Sequence, residues 1–217
     1  GTIDKYMGDC IMAFWNAPSE DINHREKSIK AAFAMSKAID QLNLDLGRTE
    51  KDKLSVGIGI NSGDCIVGNM GSDKRFDYTV LGDAVNLASR LEGQSANYGM
   101  QIILGEETIK ELSSEEFKYF ELDLISVKGK LEPVSIYTVF EDLKVIDEIE
   151  IFMKEHSQFL ENYRTKKWNE AIKHIEKYRF SVPEFTLYYT LFFERINDLS
   201  KQSLPEDWAG VYIATTK

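Results

Sequence analysis

Strand and helix patterns interleave throughout the first 141 residues of this chain, and that interleaving most narrows the folds open to it. Ile3 to Tyr6 and Cys10 to Trp15 read as two short strands around a tight turn at Met7-Gly8-Asp9. A helix is expected to open at Pro18 and Ser19, with Ser19 as N-cap and Glu20 and Asp21 in its first turn. Ile22, Ile29, Phe33, Ile39, Leu42 and Leu46 recur at roughly helical spacing and predict one apolar face. Leu54 to Ile60 and Cys65 to Val67 are apolar or alternating runs split by Asn61-Ser62-Gly63-Asp64, which predicts a hairpin between them. Gly68-Asn69-Met70-Gly71 reads as a loop and Phe76 to Val80 as a strand. Gly82 to Glu92 reads as a helix with Val85, Leu87, Ala88 and Leu91 apolar. Gln101 to Leu104 predicts a strand and Glu106 to Leu112 a short helix. Phe117 to Leu122 and Ser135 to Phe140 predict strands around the loop Val127-Lys128-Gly129-Lys130. Strands mixed with helices, and several hairpins, indicate an α+β sheet domain rather than an all-parallel one.

Residues 142–217 have a different texture. They hold 13 of the chain's 25 aromatic residues, so this stretch must pack on something. Helices are expected near 147–163, 167–179 and 184–199. Phe159-Leu160-Glu161-Asn162-Tyr163 and Trp168-Asn169-Glu170-Ala171-Ile172 look like one tetratricopeptide-type helical hairpin. A single such repeat cannot bury its own apolar face, so the tail reads either as a helical cap on the sheet domain or as a repeat that takes a partner.

The whole chain carries a net charge of −10, which argues against a broad basic surface for nucleic acid but leaves room for a local basic pocket. No apolar stretch approaches the length a membrane helix needs, and no signal peptide is visible. Cys10 and Cys65 sit in apolar runs and read as buried free thiols of a reducing compartment. Gly1-Thr2-Ile3-Asp4 opens in the middle of a pattern without a methionine, as a truncated sequence would.

Three segments carry a resemblance. They are Ile3-Asp4-Lys5-Tyr6-Met7-Gly8-Asp9, the run from Tyr78-Thr79-Val80-Leu81-Gly82-Asp83 through Asn86 and Arg90 to Glu92, and Val127-Lys128-Gly129-Lys130. In this order and spacing they resemble the class III nucleotidyl cyclase family, adenylate cyclase type, over residues 1–141. The resemblance implies a ferredoxin-like α+β catalytic domain followed by the helical tail, and conversion of ATP to cyclic AMP and pyrophosphate. It also implies a head-to-tail homodimer with active sites at the interface and two magnesium or manganese ions per site.

Asp9 matches one of two metal-binding aspartates; magnesium favours hard carboxylate oxygens, and a pair of cations can activate the ribose hydroxyl and clamp the triphosphate. Taken alone, an aspartate after glycine in a turn is ordinary turn chemistry. The family's partner aspartate lies upstream of Gly1, so these 217 residues by themselves are expected to be inactive. Lys5 and Thr79 match the pair that selects the purine: a lysine donates to adenine N1, and a threonine hydroxyl can accept from the N6 amine. Many members carry aspartate where this chain has Thr79. Singly, Lys5 would pass for a solvated edge lysine and Thr79 for a generic strand residue.

Asn86 and Arg90 match the transition-state pair and stand four apart on one helix face. Arg90 is expected to donate to α-phosphate oxygens and Asn86 to orient the ribose. Lys128 matches the lysine for the β- and γ-phosphates. The glycines at 68 and 71 are no P-loop, since the Gly-Lys-Ser/Thr ending is missing. Asp64 reads as a hairpin residue, Asp83 as the cap of the helix bearing Asn86, and His24, His156 and His174 as structural.

Two rivals remain: a silent nucleotide-binding module that regulates a partner, and an interaction protein acting through its tail. A diguanylate cyclase is disfavoured because Met7-Gly8-Asp9-Cys10-Ile11 lacks that family's Gly-Gly-Asp/Glu-Glu-Phe hallmark. A cytoplasmic catalytic part, with an upstream membrane or sensor domain in the parent protein, completes the expectation.

Overall fold

A computed structural model describes residues 1–72, 75–112, 116–126, 132–141 and 149–213. It begins with the hairpin of β1 (Thr2–Met7) and β2 (Cys10–Phe14), closed by the two-residue turn Gly8-Asp9 between the paired residues Met7 and Cys10. Gly8 has φ +66° with no atom near a would-be Cβ, so glycine is needed there for conformation and not for space.

Helix α1 runs over His24–Asp45. It starts later than Ser19 because the preceding residues are held in a loop. Asn16 accepts the Asp21 N–H at 2.6 Å, and Asp21 accepts the Asn23 N–H at 3.2 Å. Ile22 is consequently 91% exposed and lies outside the helix. Ile29 and Ala32 are buried with Phe33 packed beside them, whereas Leu42, Leu44 and Leu46 are exposed. The apolar face expected from spacing is therefore correct only in its first half.

The main sheet has the order β3-β6-β8-β7-β9. Its members are β3 (Ile58–Ile60), β6 (Ile102–Gly105), β7 (Lys118–Ser126), β8 (Val134–Phe140) and β9 (Tyr212–Ile213). The hairpin expected between the apolar runs at 54–60 and 65–67 does not form. β3 pairs in parallel with β6, while β4 (Ile66–Ser72) pairs with β5 (Arg75–Leu81), so Gly68-Asn69-Met70-Gly71 is strand and not loop. Helix α2 (Asp83–Glu92) follows β5 after Gly82, and α3 (Ser95–Tyr98) and α4 (Glu106–Ile109) flank β6. A Cβ on Gly59 would lie 2.2 Å from the Ala88 carbonyl oxygen and 2.3 Å from the Glu92 nitrogen. That glycine lets α2 press directly onto β3.

Strand alternation sends β6 to both faces. Ile102 and Leu104 join Ile29 and Ala32 of α1, and Ile103 joins Leu87 and Leu91 of α2. The second face also receives the tail: α5 (Ile149–Arg164), α6 (Trp168–Tyr178) and α7 (Thr186–Leu199), at nearly the positions periodicity predicts. Phe120 and Leu122 of β7 share one core with Phe152, Phe159, Phe185 and Tyr188.

A register shift between Glu121 and Asp123 bulges β7, and the tail supplies what the bulge disrupts. The Glu121 carbonyl takes a hydrogen bond from His156 Nε2 at 2.7 Å, and the Leu122 carbonyl takes one from Tyr188 Oη at 2.6 Å. Arg164 pairs with Glu121 at 2.6 Å and Arg195 with Asp123 at 2.5 Å. β9, which periodicity did not reveal, then adds in parallel beside β7. His156 and His174 are core residues bridged by the Tyr189 hydroxyl at 2.9 Å from each. Because Nε2 of His156 must donate to the Glu121 carbonyl, its Nδ1 accepts from Tyr189, and His174 Nε2 donates to the Tyr189 oxygen.

Candidate active site

The residues expected to read a purine come together from two hairpins. Lys5 and Asp4 lie on β1 and Thr79 on β5. Phe14 and Tyr78 meet between the same hairpins, with ring centres 6.1 Å apart and planes tilted by 46°. The Asp4 side chain is 1% exposed and sits between the two partners. Thr79 Oγ1 donates to its Oδ2 at 2.6 Å, and Lys5 Nζ lies 3.4 Å from its Oδ1. Asp4 Oδ1 is buried and makes no hydrogen bond, so the ammonium of Lys5 is its compensation. Lys5 keeps 38% of its side chain exposed and can still reach a ligand. Sequence reasoning missed Asp4. It is adjacent to Lys5, but its partner Thr79 is 75 residues away along the chain.

Asn86 and Arg90 stand one turn apart on α2, beside the stripe of buried Leu87 and Leu91. Asn86 is exposed and Arg90 half-buried, and among the described residues neither has a hydrogen-bond or ion-pair partner. Such an unpaired Arg and Asn, one helical turn apart, suit an anionic ligand with an adjoining hydroxyl. The helix is capped by Gly82, and Asp83 is its first residue with no capping hydrogen bond, which corrects the capping role expected of it. An acidic residue in the first turn still favours the helix through its dipole.

Asp9 is an exposed turn carboxylate at the far end of the β1–β2 hairpin, with no partner among the described residues. Within one chain it does not join the Asp4–Lys5–Thr79 cluster, and no hydrogen bond or ion pair links that cluster to Asn86 or Arg90. Lys128 lies outside the described residues. Among the described residues no three His, Cys, Asp or Glu side chains converge as a metal site, so the described residues of one chain do not by themselves make up a two-cation centre. Asp64 lies in an exposed loop between β3 and β4 and not in a hairpin turn.

Cys10 and Cys65 are free as expected, but both are exposed and not buried. The two hairpins near them carry apolar residues that are exposed among the described residues: Ile3, Tyr6 and Ile11 on one, and Ile66, Phe76 and Leu81 on the other. Partial desolvation by its neighbours, with the Asp64 charge nearby, raises the Cys65 thiol above its ordinary range. Among the described residues no helix is long and apolar enough to cross a membrane.

The sequence model of the adenylate and guanylate cyclase catalytic domain matches residues 4–141. An adenylate cyclase of Anabaena cylindrica is 42% identical over 147 residues, 64% of this chain and 28% of that protein's length. The chain thus spans well under a third of that relative. The adenylyl cyclase CyaB of P. aeruginosa superposes with a TM-score of 0.57 at 36% identity, covering 66% of this chain and 74% of that one. The catalytic core of a rhodopsin-guanylyl cyclase with converted specificity, in complex with ATPalphaS, superposes with a TM-score of 0.54 at 25% identity, covering 65% of this chain and 72% of that one.

Proposed function

This chain belongs to the adenylate and guanylate cyclase catalytic-domain family, and from that premise we propose that it acts as an adenylate cyclase, converting ATP to cyclic AMP and pyrophosphate. The observation that carries the choice of ATP is the convergence of Lys5 and Thr79 on one buried carboxylate. That arrangement presents a cationic donor beside a hydroxyl, the complement of adenine's N1 acceptor and N6 donor. Guanine offers the reverse pattern.

In this reading the ribose 3′-hydroxyl releases its proton to water, its oxygen bonds to the α-phosphorus, and the bond from that phosphorus to the bridging oxygen breaks so that pyrophosphate leaves. Arg90 donates to the α-phosphate oxygens as charge shifts among them, and Asn86 holds the ribose in line. Lys128 meets the β- and γ-phosphates as a point charge. Asp9 would hold one side of the magnesium or manganese pair the family resemblance implies, which would clamp the triphosphate and activate the ribose hydroxyl, with further ligands coming from outside the described residues.

Two copies arranged head to tail would bring Asp9 of one to the base- and phosphate-binding residues of the other. The exposed apolar residues on both hairpins support such a partner, because a surface of this kind is unfavourable in water. A cytoplasmic setting, as the catalytic part of a larger protein, fits this substrate.

Among the described residues no further carboxylate gathers with Asp9, which favours one second reading, in which the pocket binds nucleotide silently. One assay separates the two. The full-length protein is incubated with ATP and magnesium or manganese, and cyclic AMP and pyrophosphate are quantified. Stoichiometric formation of both supports the cyclase; ATP binding with neither product leaves the silent module.

A further inference from the structure

We propose that Asp4 is a positioning residue that fixes the polarity of the base pocket, making the Thr79 hydroxyl an obligatory acceptor and so excluding guanine. The inference rests on the adenine reading above and goes one step deeper. A threonine hydroxyl is ambivalent: it has one proton to give and lone pairs to receive with. Left to itself it could accept from the N6 amine of adenine or donate to the O6 of guanine, and would discriminate poorly.

Asp4 removes the choice. A carboxylate only accepts, and at 2.6 Å its Oδ2 takes the one proton of Thr79. What Thr79 shows to a ligand is then lone pairs alone, which suit an exocyclic amine and oppose a carbonyl. The other oxygen, Oδ1, is buried without a hydrogen bond and faces the Lys5 ammonium at 3.4 Å. It holds the cationic donor next to the acceptor without satisfying it, so Lys5 retains donors for adenine N1. With a side chain 1% exposed, Asp4 cannot touch the base itself and acts through these two neighbours.

The test compares kcat/KM for ATP and GTP in the full-length protein and in Asp4→Asn. An amide of the same shape can donate to Thr79 and free its proton to turn outward. The ATP:GTP ratio is expected to fall about tenfold or more, the scale of one reversed hydrogen bond in a closed site. Taking the ratio cancels any common loss of folded protein or of turnover. Should the amide variant fail to fold, Asp4→Ser also frees the Thr79 proton and is read the same way.

A parallel arm uses purine riboside triphosphate, which keeps N1 but lacks the 6-amine. The unmodified protein should lose about tenfold against ATP, and Asp4→Asn distinctly less. An ATP:GTP ratio unchanged within about twofold in the Asp4 variants, with the analogue still discriminated, overturns the role of Asp4 and leaves the adenine reading standing. Preference for GTP by the unmodified protein, measured before any substitution, sinks the adenine reading and this inference with it.

Discussion

Replacing Arg195 by leucine would remove the guanidinium that joins α7 to the sheet while keeping much of its apolar stem. Asp123, on the β7 bulge, has a side chain 1% exposed. Its carboxylate accepts from Arg195 Nη1 at 2.5 Å, from the Tyr98 hydroxyl at 2.7 Å and from the Leu124 amide at 2.8 Å. Burial pushes the Asp123 carboxyl above its usual range, and Arg195 is the main influence pulling it back. Burial likewise opposes the charge on Arg195, but Asp123 and Tyr98 together more than offset it and hold the guanidinium protonated.

Removing one partner of a buried pair typically costs about 3–5 kcal/mol, because the remaining charge is left uncompensated. Arg195 also lies over the Tyr212 ring, 3.8 Å from its centre, so β9 should loosen as well. For a chain of this size the expected drop in melting temperature is roughly 6–20 °C.

The loss should depend on pH in a definite direction. Without Arg195 the folded-state pKa of Asp123 rises further above its unfolded value. The penalty is then complete above the folded pKa and relieved as pH falls toward the ordinary range of about 4. Urea titrations of both proteins at pH 7 and pH 5 measure the gap, which should narrow at the lower pH. A second change, Asp123→Asn, should recover much of the loss at pH 7. If Arg195→Leu costs less than about 1 kcal/mol, or the gap is independent of pH, the pair does not anchor the helical unit as argued.

Arg90→Ala should lower kcat by roughly a hundredfold or more while leaving ATP affinity within a few-fold, as removal of a transition-state donor does; equal losses in both, by single-turnover and equilibrium binding measurements, would contradict that role. Lys5→Glu combined with Thr79→Cys should shift preference from ATP toward GTP by about tenfold or more, read from competing substrates, and unchanged selectivity would refute the base-reading pair. Burial holds the His156 imidazole down at about 4 and that of His174 at about 3. A folded pKa below the unfolded one gives stability that is complete above about 6.5 and lost as pH falls toward the folded value, up to about 3 kcal/mol for His156. Urea midpoints for His156→Gln should therefore fall less between pH 7 and 4.5 than those of the unmodified protein, and parallel slopes would count against the neutral buried imidazole.

Much of this was legible in consecutive residues. The β1–β2 hairpin, α2 after β5, and the three tail helices follow from local periodicity and turn chemistry, which act within a few residues and are written in sequence order. The segments around Lys5, Thr79, Asn86 and Arg90 carried the family resemblance for the same reason. Failures came where local signals were ambiguous. Asn61-Ser62-Gly63-Asp64 looked like a hairpin turn, yet Ile58 found β6 and Ile66 found Leu81, because an apolar run does not specify its partner. Ser19 looked like a cap, but Asn16 and Asp21 held the loop open.

The amino-acid order alone determined an α+β cyclase-type domain with C-terminal helices, and it nominated the side chains proposed to meet a nucleotide. Only the folded chain decided that the tail completes the β7 bulge, that both thiols are exposed, and that Asp4 stands between Lys5 and Thr79. Each of these depends on contacts between residues far apart in sequence. Burial and hydrogen-bond direction are properties of neighbours in space, and no window of adjacent residues contains them.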